Sequence, residues 1–109
     1  MGDAVTEITD ANFDQEVLQS DVPVLIDFWG PGCAPCKAIA PHVETLAQEN
    51  AESLKVVKMN IHANMKTAMK YKIMAMPTFV VLKGGQEVAR QQGAQGGLHG
   101  LRKLVGNHL

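Results

Sequence analysis

Pro23-Val24-Leu25-Ile26-Asp27-Phe28-Trp29-Gly30-Pro31-Gly32-Cys33-Ala34-Pro35-Cys36-Lys37 is the stretch on which the fold turns. Val24-Leu25-Ile26 is a continuous apolar run of the kind found in strands covered on both faces. Gly30-Pro31-Gly32 breaks it, and a long helical pattern follows from about Ala34 to Asn50, with Ile39, Val43, Leu46 and Ala47 facing one way. Pro41 lies inside that pattern. It removes one backbone donor and crowds the carbonyl of Lys37, which predicts a kink rather than a stop.

Upstream, Val5-Thr6-Glu7-Ile8 alternates like a half-buried strand, and Thr9 or Asp10 is placed to cap a short helix whose Phe13, Val17 and Leu18 share a face. Downstream, Leu54 to Asn60 reads as a strand and Asn64 to Tyr71 as a short helix. Thr78-Phe79-Val80-Val81-Leu82 is a second fully apolar strand, Gly84-Gly85 a turn, and Glu87 to Gln91 the returning edge strand of a hairpin. Leu98, Leu101, Leu104 and Val105 form the stripe of a closing helix, weakened by roughly 1 kcal/mol where Gly100 replaces a better helix former. This order of elements predicts one α/β domain over residues 1–109, a mixed sheet with crossover helices on both faces.

Composition narrows the function. Ten basic against eleven acidic side chains give a net charge of −1 over 109 residues, without the positive excess that a nucleic-acid backbone or an anionic membrane requires. With 46 % hydrophobic and 19 % charged residues the chain is an ordinary globule, and its charge balance gives no reason to expect more than a monomer. No apolar run approaches a bilayer span. Met1-Gly2-Asp3-Ala4 lacks a basic cluster followed by a long apolar stretch, so a reducing cytosol is the expected compartment.

The chemistry lies in Cys33-Ala34-Pro35-Cys36, between a buried strand and a helix start. Two intervening residues let one helical turn bring the sulfurs within bonding distance. As a staple the bond is poor, since closing a four-residue loop contributes only about 2 kcal/mol. A bond that adds little stability but can open and close is better explained as a reagent. Unpaired amide N–H groups and the positive end of the helix dipole favour a thiolate at Cys33. Pro35 fits the first turn, where its missing N–H costs nothing. Cys36, one turn further in and expected to be more buried, suits the resolving role. Zinc would need four ligands, but there is no second Cys-x-x-Cys, and His42, His62, His99 and His108 are dispersed; no metal is expected. Haem attachment would need histidine where Lys37 stands.

Asp27 ends an apolar run, where a carboxylate must stay protonated or find a partner. It reads either as a strand-end carboxylate bonded to nearby amides or, six residues before Cys33, as the proton acceptor for Cys36. Lys58, interrupting Val56-Val57-Lys58-Met59, is placed either to pair with Asp27 or to face solvent from a strand edge. In Met76-Pro77-Thr78 the proline is a strand starter or a cis turn that exposes backbone to a visiting chain.

Taken together, Asp27-Phe28-Trp29, Cys33-x-Pro35-Cys36-Lys37, Ile39-Ala40-Pro41, Met76-Pro77-Thr78 and Gly93-Ala94 resemble the thioredoxin family in order and spacing, from about Val5 to the C-terminus. The resemblance implies a five-stranded mixed sheet flanked by four helices and a protein-disulfide reductase with no bound cofactor beyond a redox-active Cys33–Cys36 disulfide. It implies attack by Cys33 and release by Cys36, with Asp27 as buried acid/base tuned by Lys58. It implies a cis Pro77 with the Met76 backbone pairing with substrate, a flat docking surface at Gly93, and Trp29 packed beside the site. Its implied partners are a thioredoxin reductase and disulfide-containing target proteins. Gly32 stands where the family usually has an aromatic residue and Ala34 where it has glycine, so Gly32, Ala34 and Pro35 are expected to shape docking and target choice. A disulfide oxidase or isomerase on the same fold, and a redox-inert binding or metal-carrying module, are the alternative readings.

Overall fold

A computed structural model describes residues 4–109; Met1-Gly2-Asp3, read above for a targeting signal, lies outside them. The central strand β2 (Val24–Trp29) is buried from Val24 to Phe28. It pairs in parallel with β3 (Lys55–Asn60), which pairs in parallel with the short β1 (Thr6–Glu7). On its other side β2 pairs antiparallel with β4 (Thr78–Lys83), which pairs antiparallel with the edge strand β5 (Gln86–Gln92). The order β1-β3-β2-β4-β5 gives the expected five-stranded mixed sheet. Lys83 and Gln86 pair across Gly84 and Gly85, both at positive φ, the two-residue hairpin turn expected of a glycine pair.

Three α-helices, α1 (Ala34–Glu49), α2 (Met65–Lys70) and α3 (Gly97–Gly106), and a π-helical turn at Asp14–Leu18 complete the four helical elements. None is long and apolar enough to cross a membrane. Alternation along β2 sorts the core into two layers. Leu25 packs with Ile39, Val43 and Leu46 of α1 and Leu101 and Val105 of α3. Val24, Ile26 and Phe28 point the other way, among Ile8, Phe13, Val17 and Tyr71. Each fully buried aliphatic or aromatic side chain in these layers stabilises the fold by about 1.5–3 kcal/mol. This is where the stability missing from a four-residue disulfide loop comes from.

Two expectations change. The first strand shrinks to Thr6–Glu7, both exposed, with Val5 and Ile8 on either side of it packed against the core. Pro41, as expected, does not end α1, and the Thr45 hydroxyl donates to its carbonyl at 3.0 Å. Gly100 is a requirement rather than a weakness: a Cβ there would lie 2.7 Å from the carbonyl oxygen of Gln95.

The capping expectation is corrected as well. The helical turn after β1 starts without a side-chain cap. Asp10 reaches across instead to the start of α2, accepting from the amides of Lys66 (3.3 Å) and Thr67 (3.0 Å) and from the Thr67 hydroxyl (2.6 Å). Asn64 closes the link by accepting from the Asp10 amide at 2.8 Å. Desolvation pushes the Asp10 carboxyl upward, but these donors together outweigh it and hold it below its ordinary value. A lowered value means the stabilisation is present above the ordinary carboxyl range and lost as pH falls through the folded-state value. Asp10→Ala is expected to lower stability by about 1–2 kcal/mol near neutral pH, and by less in acid. Urea unfolding at the two pH values checks this, and an equal loss at both contradicts a charged cap.

Candidate active site

Alternation on β2 puts Asp27 and Trp29 on the face of Leu25, toward α1. Beyond Trp29 the loop Gly30-Pro31-Gly32 turns the chain into that helix, with Gly32 at φ +75° and open space around it. Positive φ there favours glycine, so an aromatic side chain at this position would be strained.

Cys33 occupies the N-cap of α1. Its backbone is extended (φ −90°, ψ 103°), and its Sγ accepts from the amide of Cys36 at 3.2 Å. Lys37 N–H bonds to the Cys33 carbonyl at 3.1 Å and closes the first turn, while Pro35 sits where no donor is missed. The two cysteines form a disulfide with Cα atoms 5.3 Å apart. The expected contrast in burial is absent, because Cys33 is 7 % and Cys36 6 % exposed. The two sulfurs differ in position instead: Cys33 caps the helix, whereas Cys36 lines a cavity of about 200 Å³ behind it.

Asp27 lines the same cavity, with Trp29, Lys37, Ala40 and Lys58. The carboxyl is only 6 % exposed, and its Oδ1 has no hydrogen-bond partner, so the reading of a carboxylate tied to nearby amides does not hold. Burial pushes it from its ordinary 3.8 up to about 7; the Lys58 ammonium pulls it down and Glu7 pushes it up.

Lys58 stands beside Asp27 in the sheet register, yet its ion pair is with Glu7 on the opposite neighbour, at 3.9 Å. Of the two placements considered for Lys58, a bonded pair with Asp27 is not the one formed, and its effect on Asp27 is coulombic. Trp29 donates from its indole Nε1 to the other Glu7 oxygen at 3.3 Å, and the Lys58 ammonium lies 5.8 Å from the Trp29 ring centroid.

The second loop arrives with β4. Thr78 pairs with Phe28, which places the preceding Met76–Pro77 segment at the same end of the sheet as Gly30. The Met76–Pro77 bond is cis, the second of the two geometries considered for it. Gly93 N–H donates to the Pro77 carbonyl at 2.7 Å, and Met76 is half-buried. A Cβ on Gly30 would collide with the Met76 sulfur, with His62 Nε2 3.5 Å away, so Gly30 leaves room for a long side chain in the second loop. Ala34 and Pro35 are exposed beside Cys33. Glu7, Gly30 and His62 were not foreseen as neighbours of the site. Among the described residues no group of three or more His, Cys, Asp or Glu is placed to hold a metal ion.

A family model described as Thioredoxin matches residues 4–105. The chain is 48 % identical over 91 residues to Thioredoxin 1 of Nostoc sp., covering 84 % of this chain and 85 % of the relative. It is 47 % identical over 90 residues to Thioredoxin of Haemophilus influenzae, covering 83 % and 84 %. It is 43 % identical over 101 residues to Thioredoxin of Mycobacterium tuberculosis, covering 93 % and 87 %.

A raised folded-state value means that folding favours protonated Asp27. Its contribution is greatest below the ordinary 3.8, declines as pH rises, and levels off above about 7. The full span corresponds to roughly 4 kcal/mol. In the disulfide form, Asp27→Asn is therefore expected to gain stability over the parent between about pH 4 and about pH 8, up to a few kcal/mol. Denaturant unfolding across that range checks it, and a difference independent of pH contradicts a buried, unpaired carboxyl.

Proposed function

This chain belongs to the thioredoxin family and is a thiol–disulfide oxidoreductase; from that premise we propose that it reduces protein disulfides, with Cys33 as nucleophile and Cys36 as resolving thiol. The observation that carries this division of roles is the Cys36 amide donating to Cys33 Sγ at the start of α1. The donor and the positive helix end stabilise negative charge on Cys33.

In the dithiol form, the Cys33 thiolate attacks one sulfur of a target disulfide. The Cys33–target bond forms, the target S–S bond breaks, and a target thiolate leaves. Asp27 accepts the Cys36 proton directly or through a water in their shared cavity, which is roomy enough to hold one. The Cys36 thiolate then attacks Cys33 Sγ, expelling the second target thiolate and forming the intramolecular disulfide. Two electrons pass to the target, and a thioredoxin reductase supplies two more to restore the dithiol. No bound cofactor enters the exchange.

Docking is proposed at the loops around Cys33: Trp29, Gly32, Ala34, Pro35, the backbone of Met76 beside cis Pro77, and Gly93. Gly32 offers little apolar area, so affinity at this face rests more on main-chain hydrogen bonds to Met76 than on a side-chain anchor. Lys58 tunes Asp27. Residues 1–109 act as one domain, a monomeric carrier in a reducing cytosol, where such a cysteine pair is kept as a dithiol.

Cys33→Ser is expected to lose at least about a thousandfold in insulin disulfide reduction. Cys36→Ser is expected to attack normally and then stall as a covalent adduct through Cys33, identified by mass spectrometry. A comparable adduct through Cys36 in Cys33→Ser, or normal turnover by either variant, contradicts the assignment.

A further inference from the structure

The sheet register lines up three charged side chains on consecutive strands. Glu7 of β1 faces Lys58 of β3, and Lys58 faces Asp27 of β2. Neighbouring strands lie about 4.8 Å apart, so one ammonium stands between two carboxylates of very different character. Glu7 is at the surface, with 43 % of its side chain exposed, whereas Asp27 is buried with an unpartnered oxygen.

Lys58 takes the outer partner. Close pairing with Asp27 would strip water from the ammonium, while pairing with Glu7 leaves it hydrated on a flexible stem. Glu7 is itself fixed, because each of its oxygens has a different partner: Oε1 the Lys58 ammonium and Oε2 the Trp29 indole N–H. Trp29 also presents its ring to the same ammonium. Glu7, Trp29 and Lys58 thus form a closed set of three contacts at the rim of the Asp27 cavity.

We propose that Glu7 is a positioning residue for the exchange reaction: by holding Lys58 on the outer side of the charge row, it keeps Asp27 unpaired and able to take up the Cys36 proton. The proposal rests on Asp27 serving Cys36. The charged or titratable groups facing Asp27 from the elements around it are Glu7 on β1, Lys58 on β3, and Lys37 and Glu44 on α1, with Cys36 at the helix start. From β4 the neighbour is Phe79, which carries no charge. Glu44 is engaged elsewhere, accepting from the Ala4 amide at 2.8 Å. Lys58 is the cation whose charge acts on the Asp27 carboxyl, and Glu7 is its ion-pair partner at 3.9 Å.

The test is a carbon-13 NMR titration of the Asp27 carboxyl in the disulfide form, where neither sulfur titrates. Glu7→Gln is expected to release Lys58 toward Asp27 and lower its proton affinity by about threefold or more. In a Lys58→Met background the same substitution is expected to have less than half that effect. An unchanged midpoint in Glu7→Gln overturns the proposal. So does an equal shift in both backgrounds, which would mean direct repulsion rather than placement of Lys58. This titration reads the coupling whether or not Asp27 handles the catalytic proton. That separate reading fails if Asp27→Asn resolves the mixed disulfide at the parental rate across the pH range.

Discussion

The start of α1 is the constraint from which the rest of the molecule follows. A helix begins with amides that have no partner in the preceding turn, and here one of them is satisfied by a sulfur. A thiol is a poorer cap than serine or aspartate, and the disulfide behind it closes too short a loop to add much stability. On the proposed division of roles, the position serves charge on sulfur rather than helix stability. What makes this tolerable is the support on either side: β2 enters the loop buried through Phe28, and α1 leaves it anchored by Ile39, Val43 and Leu46.

A second compromise lies one layer deeper. Asp27 follows Leu25 on the face of the sheet that packs against α1, where an apolar residue would be more stable. The penalty is comparable to the burial of one or two large side chains, and the sheet carries many of those. It leaves a carboxyl whose proton comes and goes near neutral pH. A group so placed can exchange protons with a thiol, whereas an exposed carboxylate at its ordinary value would be a much weaker acceptor. The Cys36 sulfur and the buried carboxyl share one cavity because a single strand–loop–helix unit carries both.

Much of this was legible in the chain. The continuous run Val24–Ile26, the glycine-proline break and the Ile39/Val43/Leu46 stripe specify a buried strand feeding a helix, and the structure has both within a residue of the expected bounds. Periodicity reports burial well. Pairing between distant strands it reports poorly. Glu7 looks like one exposed residue of an alternating strand until the β1–β3 register sets it beside Lys58. Asp10 looks like the cap of the next helix along the chain, yet its oxygens reach α2 more than fifty residues away. Gly30 reads as a loop breaker, and only the approach of Met76 shows what its missing Cβ makes room for. In each case the deciding contact is made by a side chain remote in sequence, and local pattern carries no record of it.

The central claim is that position on α1 makes one sulfur, Cys33, the more acidic. Ultraviolet absorbance of the thiolate, followed against pH in the reduced protein and assigned with Cys36→Ser, tests it most directly. Cys33 is expected to ionise well below the value near 8.5 of an ordinary cysteine. Ionisation at or above that value, or ionisation of Cys36 first, would contradict it.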